Sequence, residues 1–493
     1  MSTVQELRAL LRIRWLQLSA LAALLTGVGV IAFQLKLCVL DLDIWWHLKV
    51  GDWIVEHVAV PHTGILSRTA ANRPWVAYSW GYEVLLSRAY AWFGLLGMGL
   101  FGTFLTLSVA YAIYWMLRRL SGRFWLACVL TGIVCSAFLF NGMPRPFFFS
   151  MVLFAVVLTL LLEANRSGRV RLLYWLPPIF LIWANLHIQF IYGLFLVGLL
   201  LAISLAQQLA NTLGIAPGFL LGPKFPARIL AVLFAACVLA TLVGPNFYHP
   251  YVAVYEYSKA KLAYSVIQEL QPLPFRWYSD YAELLLTAAG FFAVGWRKKL
   301  DPFKLALLTA ASVVAYRTMR DAWFICIPAA ACIADFPPPE AEHDLPERWF
   351  ETTGVAAAVV VLLALFSRGT DFNQRGFDRA ISAQYPVNAV NFLRRNPVPG
   401  PLYNNLNWGG FLMWYMPDYP VAIDGRNDLY GDDLDRIFLA TQDADTSYAT
   451  DPYLNEAGVV LLDSHLPLAK ILTIDPRFQL VFHDEIATVY ARR

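Results

Sequence analysis

Charge is scarce in this sequence of 493 residues. Asp, Glu, Lys and Arg together make up 15% of it, against 58% hydrophobic residues, and the mean hydropathy is positive. Soluble domains carry roughly a quarter charged residues, so the composition excludes an ordinary soluble globular chain and fits a polytopic membrane protein. Net charge of one sign is also scarce. The formal value is +3, with basic residues in short clusters between apolar runs, which excludes a broad nucleic-acid-binding face. Cysteine is sparse as well. None of Cys38, Cys128, Cys135, Cys237, Cys326 and Cys332 has a CxxC or zinc-site spacing, so they read as packing residues. No small-residue cleavage site follows the first apolar run at Gln34 to Leu37, so the basic N-terminus MSTVQELRALLRIRW leads into an uncleaved span. Internal repeats and low-complexity tracts are lacking too.

What is abundant is apolar sequence in helix-length runs. A helix needs about 20 apolar residues to cross a bilayer. On that scale, spans fall near 16–35, 93–117, 124–140, 150–163, 172–185, 190–207, 229–244, 282–296, 303–316, 322–334 and 353–368. The short ninth and tenth, separated by YRTMRDAW, also fit a re-entrant pair. Placing the N-terminus inside puts RRLSGR, RSGRVR and WRKKLDP on the cytoplasmic side, as the positive-inside tendency requires. The expected fold class is therefore mostly α, with about 11 transmembrane helices over residues 1–368. The loop 36–92, the loop 245–281 and the tail 369–493 then face outward. In the tail, helices PVNAVNFLRR, WGGFLMWYM and LPLAKIL alternate with strands PLYNN, VAID, GVVLLD, FQLVFHD and IATVYARR, which predicts a small α/β extracytoplasmic domain. The spans hold few polar residues, chiefly Asn141, Glu163 and Asn185, which counts against a translocation path.

The first outward loop opens on DLDIWWHLKVGDWI. Trp45, Trp46, Trp53, Trp75, Trp80 and Trp92 favour the lipid–water interface, and residues 43–58 have the spacing of an amphipathic helix lying on the outer leaflet. Asp43 also stands where a helix N-cap would. Elsewhere, Arg145, His187, His249, Arg317 and Arg320 fall at the outer ends of spans. Each has an ordinary reading as an interfacial anchor; jointly they are candidates for binding a lipid phosphate or other anionic substrate, because arginine presents a planar fork of donors to phosphate. The pair Asp41 and Asp43, with His47 nearby, offers hard ligands for a divalent cation such as Mg or Mn, although two residues do not make a metal site.

The order of an N-in first span, an outward loop with an Asp-x-Asp pair, many further spans and an outward C-terminal domain resembles the GT-C superfamily of membrane glycosyltransferases. DLDIWWHLKVGDWI, PHTGILSRTAANRPWVAYSWGYEVLL, RPFFFS, WANLH and NWGGFLMWYMPDYPVAIDGRNDLYG are similar to a bacterial set usually described only as GT-C-like. The resemblance implies a polyprenyl-phosphate-sugar-dependent, inverting glycosyltransferase in the bacterial cytoplasmic (inner) membrane. Its partners would be a lipid-linked sugar donor, membrane lipids and a glycan, lipid or protein acceptor, without nucleic acid. Asp43 or Asp41 would be the catalytic base, with His47, Arg145, His187, His249, Arg317 and Arg320 on the donor side. The tail echoes the tryptophan motif of oligosaccharyltransferase catalytic subunits, which makes Trp408, Asp424 and Arg426 acceptor-side candidates. That motif's aspartate is absent here. NWGG also reads as a tight turn whose glycines take positive φ, and DGR as a turn held by its own ion pair. Alternative functions are a lipid-linked glycan flippase and a non-catalytic envelope assembly protein on the same scaffold.

Overall fold

The computed structural model describes residues 3–35, 37–139, 143–215, 218–336 and 349–493. Asn141 and the side chain of Cys38 lie outside what it describes. The chain divides into two compact units, the first comprising 1–35, 102–244 and 268–370, the second 36–101, 245–267 and 371–493.

A helix covers each apolar run expected to span. Among the described residues, four are long and apolar enough to cross a membrane, namely Ile13–Phe33, Trp80–Ser121, Phe147–Ser167 and Phe190–Thr212. Phe124–Phe138, Val170–Leu186, Ala227–Thr241 and Glu351–Ser367 are apolar but shorter. Trp323–Ala334, with 12 residues, rises about 18 Å at 1.5 Å per residue, short of a hydrocarbon core of about 30 Å. The protein is thus a helical membrane protein, and eleven crossings remain a reading of hydropathy.

In the first unit, small residues set the closest helix approaches. A Cβ on Gly290 would stand 3.0 Å from Cα of Ala329, so Tyr278–Gly295 and Trp323–Ala334 meet nearly backbone to backbone. Two polar residues of these helices are paired locally, as a low-dielectric surrounding favours. Glu163 accepts a two-pronged pair from Arg119 at 2.8 and 2.7 Å, and Asn185 donates to the carbonyls of Leu181 and Val243 at 2.8 Å each.

The second unit joins the first loop with 245–267 and the tail from 371. Its sheet has four strands, β1 (Leu402–Asn404), β2 (Val459–Asp463), β3 (Phe478–His483) and β4 (Ala487–Arg492), ordered β1-β2-β4-β3. β1 and β2 run parallel and the other pairs antiparallel. The segment VAID is not a strand of this sheet; Val421 makes only an isolated bridge to Ser67 of the first loop. Asn404 at the end of β1 holds that segment instead, donating to the carbonyl of Ile423 and accepting from the amide of Ala422, both at 2.8 Å.

The helix Ile44–His57 forms where expected but is not a surface helix. Ile44, Trp45, Trp46, His47, Leu48, Val50, Gly51 and Ile54 are buried. Gly51 permits this, since a Cβ there would stand 2.0 Å from the carbonyl oxygen of Glu83. Trp45 and Trp46 are therefore core residues rather than interfacial anchors, and Trp75 is buried with them, whereas Trp92 is 73% exposed. The Trp45 ring meets Tyr385, Phe411 and Tyr415 edge-on at 5.9, 5.7 and 5.4 Å. The helix Trp80–Ser121 is broken at Gly94, whose φ of 58° takes the left-handed region. SWGYEVLLSRAYAWF ends at this break, where the following apolar run begins.

Trp45→Ala is expected to cost about 3–5 kcal/mol, seen as a large drop in the thermal unfolding midpoint in detergent. Trp92→Ala, at an exposed position, is expected to change stability by no more than about 0.5 kcal/mol.

Candidate functional site

Both units contain polar clusters that include candidate residues. In the second unit, the first residues of the loop turn into the helix Ile44–His57 through the two aspartates. The amide of Asp43 donates to Oδ1 of Asp41 at 3.1 Å, and the Trp46 indole donates to Oδ1 of Asp43, also at 3.1 Å. Asp43 stands at the N-cap position but makes no side-chain cap bond, so its carboxylate has a different task from the one an N-cap implies. Asp41 is buried, and its carbonyl accepts from the hydroxyl of Tyr385 at 3.1 Å. Next along the helix, His47 is buried with Nδ1 3.1 Å from Oε1 of Glu83.

Asp424 and Arg426 lie against this turn, and they form a wholly buried ion pair. Nε and Nη2 of Arg426 each donate to a carboxylate oxygen of Asp424 at 2.8 Å, and Tyr430 donates to Oδ2 at 2.5 Å. Nη2 also reaches the carbonyl of Ile65 at 3.0 Å, and the guanidinium lies 4.9 Å over the Trp75 ring. Burial works against the charge of Arg426, but the Asp424 carboxylate outweighs it and raises the guanidinium pKa further. Gly425, between the two, brings its backbone close to Asp43: a Cβ there would stand 2.2 Å from Oδ1 and push the carboxylate aside. The turn reading of DGR is thus the one the structure bears out.

Trp408, expected on the acceptor side, is buried at the start of Gly409–Tyr415. Gly409 has φ of −53°, so NWGG does not need glycine for positive φ. Its glycines serve close approach: a Cβ on Gly409 would stand 2.1 Å from the carbonyl oxygen of Ile423, and one on Gly410 3.0 Å from the amide of Trp46. Trp408, Asp424 and Arg426 are all buried within this unit. His249 begins the helix His249–Lys259, exposed, with Nδ1 3.0 Å from the carbonyl of Asn246.

Among the described residues no group of three or more His, Cys, Asp or Glu could hold a metal ion. The nearest histidine, His47, directs Nδ1 to Glu83, and one oxygen of each aspartate accepts an N–H.

The centre of the first unit gathers the ends of several helices. Arg145, just before Phe147–Ser167, donates to Oε1 of Glu269 at 3.0 Å. Arg320, in the turn Met319–Asp321, donates to the same oxygen. Glu269 sits in the single turn Gln268–Leu270. Burial raises its pKa, but Arg320 and Arg145 outweigh that and hold the carboxyl below its ordinary value. Arg317 ends Pro302–Arg317 with an exposed side chain. His187 was a candidate cation. It is buried, with Nδ1 2.9 Å from the Ser150 hydroxyl, which in turn accepts from the Trp183 indole at 2.8 Å. Burial, aided by Arg320, pushes its pKa down to about 3, so it stands as a neutral ring at physiological pH. Asp321 accepts from Gln189 at 3.1 Å and Thr318 at 2.8 Å. Sequence reasoning passed over Glu269, a lone acid with no motif around it, and Glu83, which lies within SWGYEVLL. Only a demand for counterions to the named cations pointed toward either.

No family model and no curated protein matches the chain. Fold and polar centres together define a helical membrane protein with an α/β unit. Among solved structures it is similar to the crystal structure of ArnT from Cupriavidus metallidurans bound to undecaprenyl phosphate, at 14% identity and a TM-score of 0.48 over 95% of this chain and 97% of that one.

Asp435, buried in the helix Asn427–Gln442, yields a pH dependence. Burial, then the carboxylates of Asp424, Asp432, Asp433 and Asp428, pushes its pKa up to about 7 from 3.8. Between those values the folded state binds more protons at this site than the unfolded state does. Stability therefore falls as pH rises through that window and is fully retained below it. Asp435→Asn is expected to flatten the stability slope from pH 4 to 7 and raise the melting temperature at pH 8. A pH–melting profile identical to wild type would refute this.

Proposed function

We propose that the protein is a polyprenyl-phosphate-sugar-dependent glycosyltransferase working on the outer face of a bacterial cytoplasmic membrane, with its N-terminus inside and residues 369–493 outside. The observation that carries this reading is the meeting of Arg145 and Arg320 on one oxygen of Glu269. Two guanidinium groups converge there on one anionic oxygen, and arginine forks match the oxygens of a phosphate that arrives on a lipid.

The chemistry follows from the donor. An acceptor hydroxyl oxygen attacks the anomeric carbon as the bond from that carbon to the phosphate oxygen breaks, with inversion in a single displacement. The bonding pair leaves with the polyprenyl phosphate, a stable anion, so cations at the phosphate lower the barrier more than a general acid would. The hydroxyl proton passes to a carboxylate, and the first-loop aspartates fill that role. Asp43 is the better candidate of the two, since Asp41 is almost wholly buried. Its orientation is fixed by Trp46 and by the backbone at Gly425. No divalent cation enters the reaction as drawn. The flippase alternative loses support because Glu163 and Asn185 are engaged in local bonds.

The test is transfer from a labelled polyprenyl phosphate sugar to membrane acceptors by purified protein. Asp43→Asn is expected to lower kcat by 10²-fold or more, the scale of a general base, with little change in melting temperature. Transfer at the wild-type rate by the double variant Asp41→Asn, Asp43→Asn would sink the assigned role, and movement of donor across liposomes without a change in its mass would favour the flippase.

A further inference from the structure

We infer that Glu269 is the resident counterion of the arginine pair, and that a lipid phosphate enters by displacing its carboxylate from Arg145 and Arg320. This rests on the reading of the arginine pair as a phosphate site and adds a regulatory element to it.

Three observations lead here. Both arginines donate to the same oxygen, Oε1, so the carboxylate stands at the focus of two forks, the position that a phosphate oxygen would take. A phosphate added beside it would bring two anions into contact, and like charges at that distance repel strongly. Binding is therefore an exchange. Proton uptake does not release Glu269, because its neighbours hold it ionised below the ordinary carboxylate range. Only a competing anion can take its place.

The setting of Glu269 fits such an exchange. Its side chain is 36% exposed, against 19% and 24% for Arg145 and Arg320, so the carboxylate is the freest of the three to turn toward solvent. The backbone beyond it is tied down. The carbonyl of Gln271 accepts from the amide of Met319 at 3.0 Å, and the amide of Leu273 donates to the carbonyl of Tyr316 at 3.3 Å. A side-chain rotation can thus open the pair while the chain stays anchored to the arginine-bearing turn. The exchange also speeds product release, since the carboxylate that yields to the incoming donor returns to displace the phosphate that remains after transfer. The other cluster of this kind in the unit lacks these properties. Asp335 faces Lys304, Arg297 and Arg166, but its own side chain is only 10% exposed and that of Lys304 only 5%. The Asp335 carbonyl, past the end of Trp323–Ala334, accepts from Arg297, which marks a helix-end staple.

The experiment titrates full-length protein in detergent with farnesyl phosphate, and in a parallel arm with inorganic phosphate, while thermal melts monitor folding. Glu269→Gln keeps the shape and removes the charge. It is expected to bind farnesyl phosphate about tenfold more tightly than wild type, a shift of one decade in Kd. In transfer assays it is expected to show a lower KM for the donor together with a lower kcat, because the spent phosphate leaves more slowly. A merely structural Glu269 would instead leave Kd unchanged or raise it. Equal or weaker binding by a folded Glu269→Gln protein overturns the inference, and Glu269→Ala provides the same readout if the Gln variant does not fold. Failure of both variants to fold makes Glu269 a structural staple and overturns it too. Unchanged farnesyl phosphate binding in the double variant Arg145→Gln, Arg320→Gln shows that phosphate binds elsewhere, which removes the phosphate-site reading and the inference with it. Tightening for farnesyl phosphate but not for inorganic phosphate assigns the site to lipid-borne phosphate; tightening for both assigns it to phosphate of either source, with the exchange intact.

Discussion

The buried ion pair between Asp424 and Arg426 is the interaction on which the second unit depends. Both side chains are without solvent contact, and an isolated charge in such a place would be untenable. The pair persists because its geometry is two-pronged and its remaining donors and acceptors are largely filled. Tyr430 donates to the carboxylate, the carbonyl of Ile65 takes a guanidinium N–H, and the Trp75 ring lies under the cation. These partners come from the first loop and from the tail. One pair therefore ties together segments more than 350 residues apart in sequence and fixes Gly425 against the carboxylate of Asp43. The acidic pair owes its position less to its own helix than to this buried charge.

Aromatic packing builds the rest of that unit around the same point. Trp45 faces away from the acidic turn into Tyr385, Phe411 and Tyr415, while Trp46, one residue on, turns its indole N–H to Asp43. Consecutive tryptophans on a helix point about 100° apart, so one can fill a core while the other orients a carboxylate. Glycines at 51, 409 and 410 remove the side chains that would hold these elements apart.

The first unit relies on a different balance. Its helices meet through small residues and local hydrogen bonds, and two of its charge clusters stand at helix ends. There the Asp335 cluster and the Arg145–Glu269–Arg320 cluster look alike in composition but differ in exposure. A buried carboxylate among cations holds helices in place. A half-exposed one between two arginines holds a place that another anion can take. Partial access to water lowers the cost of parting the ions, and that difference in solvation separates a staple from an exchangeable site.

Periodicity and hydropathy in the sequence determined the helices, because each apolar run must satisfy its backbone internally in lipid, and turn residues with alternating strands determined most of the α/β tail. VAID was misread because an apolar run of four has strand propensity, but Asn404, brought in from β1, takes its hydrogen bonds. The tryptophans of the first loop were misread as surface anchors because composition cannot say whether an amphipathic helix meets lipid or the rest of its own chain. His187 looked like a cation by its letter, and burial made it neutral. The candidate cations Arg145 and Arg320 were legible as residue types at helix ends. That they share one oxygen of Glu269, and that Asp43 rests on Gly425, were decided only by tertiary structure, because such contacts join distant segments whose meeting no local pattern encodes.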